Sequence, residues 1–441
     1  MTVCPEKTLF TILKKVGCGK RMLKAIMAIY QRTVNILNSE CIRSTIGVKQ
    51  GGPMSCILFV IYLNVLSGLL KLIGDDSYLK DLHALMLMDD TVLLGSSREM
   101  IENKFETMMR FCKDYGMVIN EVKTKLMVIN GSNEDREKIT IQNVVVKHTT
   151  TYIYLGSPFT EDGRIDNVLS LHVKSRMSDL NKFKIFCYKN STMPYKFKRK
   201  VLDAVMLSLF YGCESWLSEQ TKSVEVLYRG ALKALLGVRG TTRNDTILIE
   251  TGMPLLKDLI AERTKRYVKK KLLDEKDEET PLFKIYKLCE ENKTKGHQFI
   301  KKCINSSITE NVDKFKEGFN RVQGSKAVVY KEMNTDLRVH DVYTTGGYID
   351  ERKRVSFTKF RLSSHRLKIE TGRWSRIPRD NRLCECGDVQ DEVHVALYCP
   401  KTNALRNKYN FDNREILSLN DLMKKTSVNV VEFIHECMEL Y

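Results

Sequence analysis

The chain has 441 residues, a formal charge of +18 and thirteen cysteines, an odd number, mostly isolated, which speaks against a disulfide framework. No stretch reaches the ~20 uncharged apolar residues of a membrane span, and Lys7, Lys14, Lys15 and Lys20 interrupt the first twenty positions, unlike a secretory leader. The composition therefore points to a protein of the nucleus or cytoplasm, neither secreted nor in a membrane, whose charge suits a polyanionic partner or a well-solvated surface.

In chain order, apolar spacing predicts two amphipathic helices between Glu6 and Tyr30, broken at Gly17-Cys18-Gly19. Leu9, Leu13 and Val16 share a face of the first; Leu23, Ile26 and Tyr30 share a face of the second. Thr33–Ile46 reads as short strands turning near Asn38-Ser39, Gly47–Ser55 as a glycine-rich loop, and Cys56–Leu72 as an apolar helix. Ala84–Leu94 reads as a β-hairpin with Asp89-Asp90 at its tip. Ser96 and Glu99 have capping-box spacing, and the helix they open carries Ile101, Phe105, Met108 and Cys112 on one stripe before Gly116. Short strands are expected at Leu126–Ile129 and Tyr152–Leu155, on either side of a variable loop near Gly131-Ser132-Asn133. Asn167–Leu272 is mainly helical, with a basic face of Lys265, Arg266, Lys269, Lys270 and Lys271. Residues 273–345, rich in charge, read as a helical or partly ordered connector to a small module beginning near Arg352.

The strongest chemical candidate is Leu87-Met88-Asp89-Asp90. Neighbouring strand residues point to opposite faces, so adjacent carboxylates converge only where a strand turns. At about 5 Å and an effective dielectric of about 20, two ionised carboxylates repel by ~3 kcal/mol. A hard cation between them offsets that cost, and Mg²⁺ is the one that bridges carboxylates to substrate phosphates. The plain alternative is a solvated turn, where Asp is common.

The order of segments narrows the choice. Gly47-Val48-Lys49-Gln50-Gly51-Gly52-Pro53-Met54-Ser55 leads into an apolar helix, then the Asp-Asp hairpin, then a capped helix. Gly116-Met117-Val118-Ile119-Asn120, Lys123-Thr124-Lys125 and Tyr154-Leu155-Gly156-Ser157 follow. In order and spacing the series resembles the palm motifs of non-LTR (LINE-type) retrotransposon reverse transcriptases. The resemblance implies that Asp89 and Asp90 bind Mg²⁺, that Gln50, Gly51 and Pro53 shape the nucleotide and template pocket, and that Lys123 lies near the triphosphate. It places Tyr154, Leu155 and Gly156 at the primer-gripping hairpin. Leu87 and Met88 stand where the family usually has an aromatic residue and Ala or Met. Met1–Glu6 resembles the residues just after the family's first catalytic aspartate, and no Asp precedes Asp75. The chain is therefore expected to be the C-terminal part of such an element, without fingers or the first carboxylate, and of low or no activity.

Tyr211-Gly212-Cys213-Glu214-Ser215-Trp216 and the helices after it resemble the thumb of the same elements, which implies a grip on a template–primer duplex. Cys384-x-Cys386-x7-His394-x4-Cys399 offers three thiolates and an imidazole, a tetrahedral zinc set, although one residue between the first two cysteines is tighter than usual. It resembles the Cys-Cys-His-Cys knuckle at the C-terminus of non-LTR polyproteins, with structural Zn²⁺. Arg373, Arg376, Arg379 and Arg382 crowd its approach, and Trp374 offers a stacking surface.

The resulting expectation is an α+β chain. A partial right-hand palm (1–145) is followed by a primer-grip hairpin and helical thumb (146–272), a charged connector (273–350) and a zinc-knuckle module (351–441). Its activity by resemblance is RNA-directed DNA polymerisation, with an RNA template, a DNA primer, deoxynucleoside triphosphates, Mg²⁺ and Zn²⁺. The rival expectation is a non-catalytic RNA- or DNA-binding remnant.

Overall fold

Apolar residues at helical spacing build α1 (Glu6–Lys15) and α2 (Lys20–Gln31), and Gly17, at φ 86°, makes the break between them. The coordinates are a computed structural model describing residues 6–31, 34–37, 40–43, 52–74, 82–141, 143–274, 280–344, 349–411, 416–425 and 427–441. Leu9, Ile12 and Leu13 form the buried face of α1, whereas Val16 is exposed beyond the last turn, so the expected face is shifted by part of a turn. Ile26 and Tyr30 are buried on α2, as expected. The chain is mixed helix and sheet, and it divides into two compact units: Met1–Arg164 with Glu279–Pro281, and Ile165–Glu278 with Leu282–Tyr441.

In the first unit, β1 (Val34–Leu37) and β2 (Glu40–Arg43) pair antiparallel. Helix α3 (Ser55–Lys71) buries Leu58, Tyr62, Leu66 and Leu70 at i, i+4 spacing. The hairpin of β3 (Ala84–Leu87) and β4 (Asp90–Leu93) comes next, then α4 (Arg98–Asp114), which buries Phe105, Met108, Phe111 and Cys112. The cap of α4 is Ser97, not Ser96: its Oγ accepts from the Met100 N–H at 3.2 Å. Tyr62, Phe111 and Tyr115 lock α3 to α4, the last two stacked with centroids 4.4 Å apart. The predicted strand at 126–129 is reduced to β5 (Lys125–Leu126), which pairs parallel with β7 (Val144–His148), itself antiparallel to β6 (Ile139–Ile141). A separate hairpin, β8 (Thr151–Tyr154) and β9 (Ser157–Thr160), closes the unit.

The second unit is helical. Helices α5 (Ile165–Lys189), α6 (Tyr195–Leu209), α7 (Glu225–Leu236), α8 (Asn244–Thr251) and α9 (Leu256–Val268) surround Leu180, Phe183, Leu202, Phe210, Leu227 and Leu235. Residues 273–345 are largely helical among the described residues. Of helices α10 (Pro281–Glu291), α11 (Lys295–Asn305), α12 (Ile308–Asn320) and α13 (Ser325–Met333), α12 contributes Phe319 and α13 contributes Ala327 and Tyr330 to the buried core. Next come α14 (Glu351–Arg361), α15 (Lys368–Trp374), α16 (Asn403–Lys408), α17 (Leu419–Met423) and α18 (Ser427–Glu439). Phe357, Phe360, Val395, Val430 and Phe433 form their shared core, each such side chain contributing about 1.5–3 kcal/mol by leaving water. No helix among the described residues is long and apolar enough to cross a membrane, and the eleven cysteines whose side chains are described are free.

Candidate functional site

The acidic hairpin is tight. Leu87 pairs with Asp90, leaving Met88 and Asp89 as a two-residue loop. Met88 has φ 54° and Asp89 is absent from the left-handed region, the pattern of a II′-type turn. The tip is thus Met88-Asp89, and Asp90 is the first residue of β4 rather than part of the loop. Met88 is half-buried against the core of the first unit, which anchors the loop, while both carboxylates are exposed. Among the described residues neither the Asp89 nor the Asp90 carboxylate has a hydrogen-bond or ion-pair partner. Two adjacent, unneutralised oxygen ligands on a short rigid hairpin fit a hard divalent cation.

The β8–β9 hairpin belongs to the same neighbourhood. Burial raises the Tyr154 hydroxyl above its ordinary value, and the nearby Asp90 carboxylate adds to the rise. Leu155 (φ 49°) and Gly156 (φ 81°) form its two-residue loop, both left-handed as a I′-type turn demands. Leucine rarely accepts that conformation, which makes Leu155 a strained, partly exposed tip. Pro53 is exposed just ahead of α3, and Lys123 is exposed in the turn before β5. The Lys123 N–H donates to Asn120 Oδ1 at 3.1 Å and Thr124 Oγ1 to the Asn120 carbonyl at 2.8 Å, so Asn120 shapes this turn. No bond links Pro53 or Lys123 to the acidic hairpin among the described residues, and Gln50 and Gly51 lie outside them.

The second candidate site lies in the other unit. The donor atoms of Cys384, Cys386, His394 and Cys399 all fall within 4.8 Å of one another. A bridge between Leu383 and Val389, with Cys384 N–H donating to Asp388 O at 2.7 Å, folds the segment back, and Gly387 turns it at φ 99°. That turn lets cysteines only one residue apart point to one centre. A tetrahedral zinc with Zn–S near 2.3 Å sets its sulfurs about 3.8 Å apart. Cys384 and Cys399 Sγ are 3.8 Å apart, and Cys386 and Cys399 Sγ 4.0 Å. Burial raises the Cys384 thiol, but hydrogen bonds from the Cys386 backbone, His394, Cys386 and Gln390 prevail and bring it down to about 6. Tyr441 Oη donates to Cys399 Sγ at 2.8 Å, and Asp388 Oδ2 lies 3.7 Å from His394 Nδ1, the outer partners that orient ligands. The spacing did not reveal Tyr441 or Asp388.

Several of the basic residues read from the sequence are committed elsewhere. Arg382 donates to the carbonyls of Ile369 and Ile377, Arg379 pairs with Asp391, and Arg373 with Glu370. On α9, Arg266 pairs with Glu262 and Lys265 donates to the Ser306 carbonyl.

Residues 4–159 match the family model described as "Reverse transcriptase (RNA-dependent DNA polymerase)", a span that takes in the Asp89-Asp90 hairpin and the Tyr154-Leu155-Gly156 turn. Over that span the chain is similar to a reverse transcriptase domain. No curated protein matches it.

Proposed function

We propose that this chain is the palm, thumb and knuckle portion of a non-LTR retrotransposon reverse transcriptase, built for RNA-directed DNA polymerisation. The observation that carries the reading is the unpartnered Asp89/Asp90 pair on its tight hairpin beside Tyr154, inside the span that matches the family. The partition proposed is a palm over 1–145, the primer-grip hairpin and thumb over 146–272, a helical connector over 273–350, and the Cys3His module over 351–441. Asp89 and Asp90 would hold Mg²⁺, and Cys384, Cys386, His394 and Cys399 a structural Zn²⁺ with every position filled by protein. Bound Mg²⁺ supplies charge neutralisation at the triphosphate and a more acidic primer hydroxyl. The chain's own part is positional. The Tyr154-Leu155-Gly156 turn presents the primer end to the carboxylates, and Gln50, Gly51, Pro53 and Lys123 receive template and nucleotide.

Residues 1–74 contain no aspartate, so none of them supplies the third aspartate that the resemblance calls for. Residues 1–441 by themselves are therefore expected to bind template–primer but to add nucleotides poorly or not at all. The same observation favours a second reading, a nucleic-acid-binding remnant without chemistry. Mn²⁺ titration followed by electron paramagnetic resonance, with RNA–DNA hybrid and nucleotide present, tests the site itself. The expectation is Mn²⁺ binding that an Asp89→Asn/Asp90→Asn variant loses. Identical binding by both proteins removes the hairpin from the metal site.

A further inference from the structure

Away from the two candidate sites, unpaired positive charge gathers in the second unit from three separate segments. Arg239 follows α7, Lys359 lies on α14, and Arg366 lies in the turn between α14 and α15. The backbone fixes this convergence. Arg239 N–H donates to Ser364 Oγ at 3.0 Å, and Thr242 Oγ1 reaches the same hydroxyl at 3.3 Å. Gly237, at φ 72°, lies against Val355 of α14, where an added Cβ would come within 3.0 Å of a methyl group.

Burial holds Lys359 below its ordinary value, and both Arg239 and Arg366 depress it further. Burial also lowers Arg239; Glu370 opposes the shift and Arg366 reinforces it. Glu370 is the carboxylate facing the cluster, and it is already committed to Lys326 and to Arg373, the latter at 3.0 Å. Among the described residues, Arg239, Lys359 and Arg366 form no ion pair with any carboxylate. The Arg239 guanidinium instead covers the Trp374 ring, Cζ 4.2 Å from its centroid, while Trp374 stays 57% exposed.

Three mutually repelling cations cost stability unless an anion joins them, and an exposed indole backed by a cation is a stacking platform. An acidic peptide would satisfy the charges but leave the indole without a planar partner. A nucleic acid with unstacked bases satisfies both. We propose that Arg239, Lys359, Arg366 and Trp374 bind a single-stranded nucleic acid, with phosphates on Lys359 and Arg366 and a base on the Trp374 ring. This surface does not rest on the polymerase reading, because none of its residues falls within the span 4–159.

The chain has two tryptophans, and Trp216 is only 8% exposed, so emission quenching reports Trp374 even if a strand also binds elsewhere. Full-length protein is titrated with short homopolymeric RNA and DNA strands, and with polyglutamate. Saturable quenching by the strands is expected, lost in Trp374→Ala and retained within about threefold in affinity by Trp374→Phe, read by anisotropy. Lys359→Ala/Arg366→Ala is expected to raise the quenching midpoint about tenfold and to reduce the salt slope by about 1.4, for two phosphate contacts. Lys359→Gln serves if the double variant melts early by circular dichroism. A strand that binds by anisotropy without quenching Trp374, or equal quenching by polyglutamate, overturns the proposal. RNA bound more tightly than DNA, or the reverse, identifies which strand the surface prefers.

Discussion

Glu250 is a heavily committed buried charge of the helical unit, and replacing it with glutamine tests how that unit is held together. Its carboxylate is 0% exposed and accepts four hydrogen bonds: Arg361 Nε at 2.8 Å, Arg361 Nη2 at 3.0 Å, Tyr330 Oη at 2.8 Å and Tyr343 Oη at 3.0 Å. Arg361 is 1% exposed, so Glu250→Gln leaves a guanidinium without a countercharge and turns an amide N–H₂ toward donors. Breaking one side of such a pair costs about 3–5 kcal/mol. Glu250→Met/Arg361→Met, which removes both charges at similar volume, is expected to be far milder, within about 1–2 kcal/mol of the parent. The assay is urea unfolding followed by tryptophan emission, since Trp216 and Trp374 both belong to this unit. Burial alone would raise the Glu250 carboxyl, but the Arg361 charge, its hydrogen bonds and that of Tyr330 prevail and hold it low. A depressed folded value means that this stabilisation is complete above the ordinary carboxylate value of about 4.3 and is lost as pH falls through the lower folded value. The gap between parent and Glu250→Gln should therefore shrink in acid. A cost below about 1 kcal/mol at neutral pH, or a gap that widens in acid, would refute the reasoning.

Leu155→Gly relieves a left-handed leucine at φ 49° whose side chain is 37% exposed, and it should stabilise the first unit by up to about 1 kcal/mol in urea unfolding. If the tip grips primer, the same change weakens hybrid binding, so stability and affinity move in opposite directions. Tyr441→Phe removes the Oη–H donor to Cys399 Sγ and should lower Zn²⁺ affinity about tenfold in chelator competition. An unchanged affinity would reduce that hydrogen bond to packing. Metal removal by chelator should raise amide exchange over residues 383–399 and leave the first unit's protection intact, measured by hydrogen exchange with mass spectrometry.

Local periodicity was legible in the sequence because helical and hairpin spacing need only neighbours. The stripe of Phe105, Met108 and Cys112 is buried as read, and the hairpin at 84–93 is present. The cap shifted from Ser96 to Ser97 because two consecutive serines offer equivalent side chains and only the entry angle of the chain chooses between them. The parallel pairing of β7 with β5 escaped because it is a contact between distant segments, not a local pattern. Residues 273–345 read as peripheral because charged residues crowd them, yet Phe319 and Tyr330 each fill a core position. The Cys384–Cys399 spacing exposed the metal-ligating set, whereas Tyr441 lies 42 residues beyond Cys399 and carries no motif of its own. The cationic surface around Trp374 was partly visible, but through the wrong arginines. Arg373, Arg379 and Arg382 are bonded within the fold, while the unpaired charges come from positions 239, 359 and 366.

The central proposal is that Asp89 and Asp90 are the metal carboxylates of a polymerase palm to which residues 1–74 bring no further aspartate. Primer extension on a poly-RNA template with Mg²⁺, comparing the chain with its Asp89→Ala/Asp90→Ala variant, tests it most directly. The expected result is template–primer bound by both proteins, weakened by salt, with negligible incorporation by either. Robust incorporation that disappears in the variant would contradict that expectation and require another group to stand in for the third aspartate. Incorporation that survives the double substitution would remove the hairpin from the chemistry altogether.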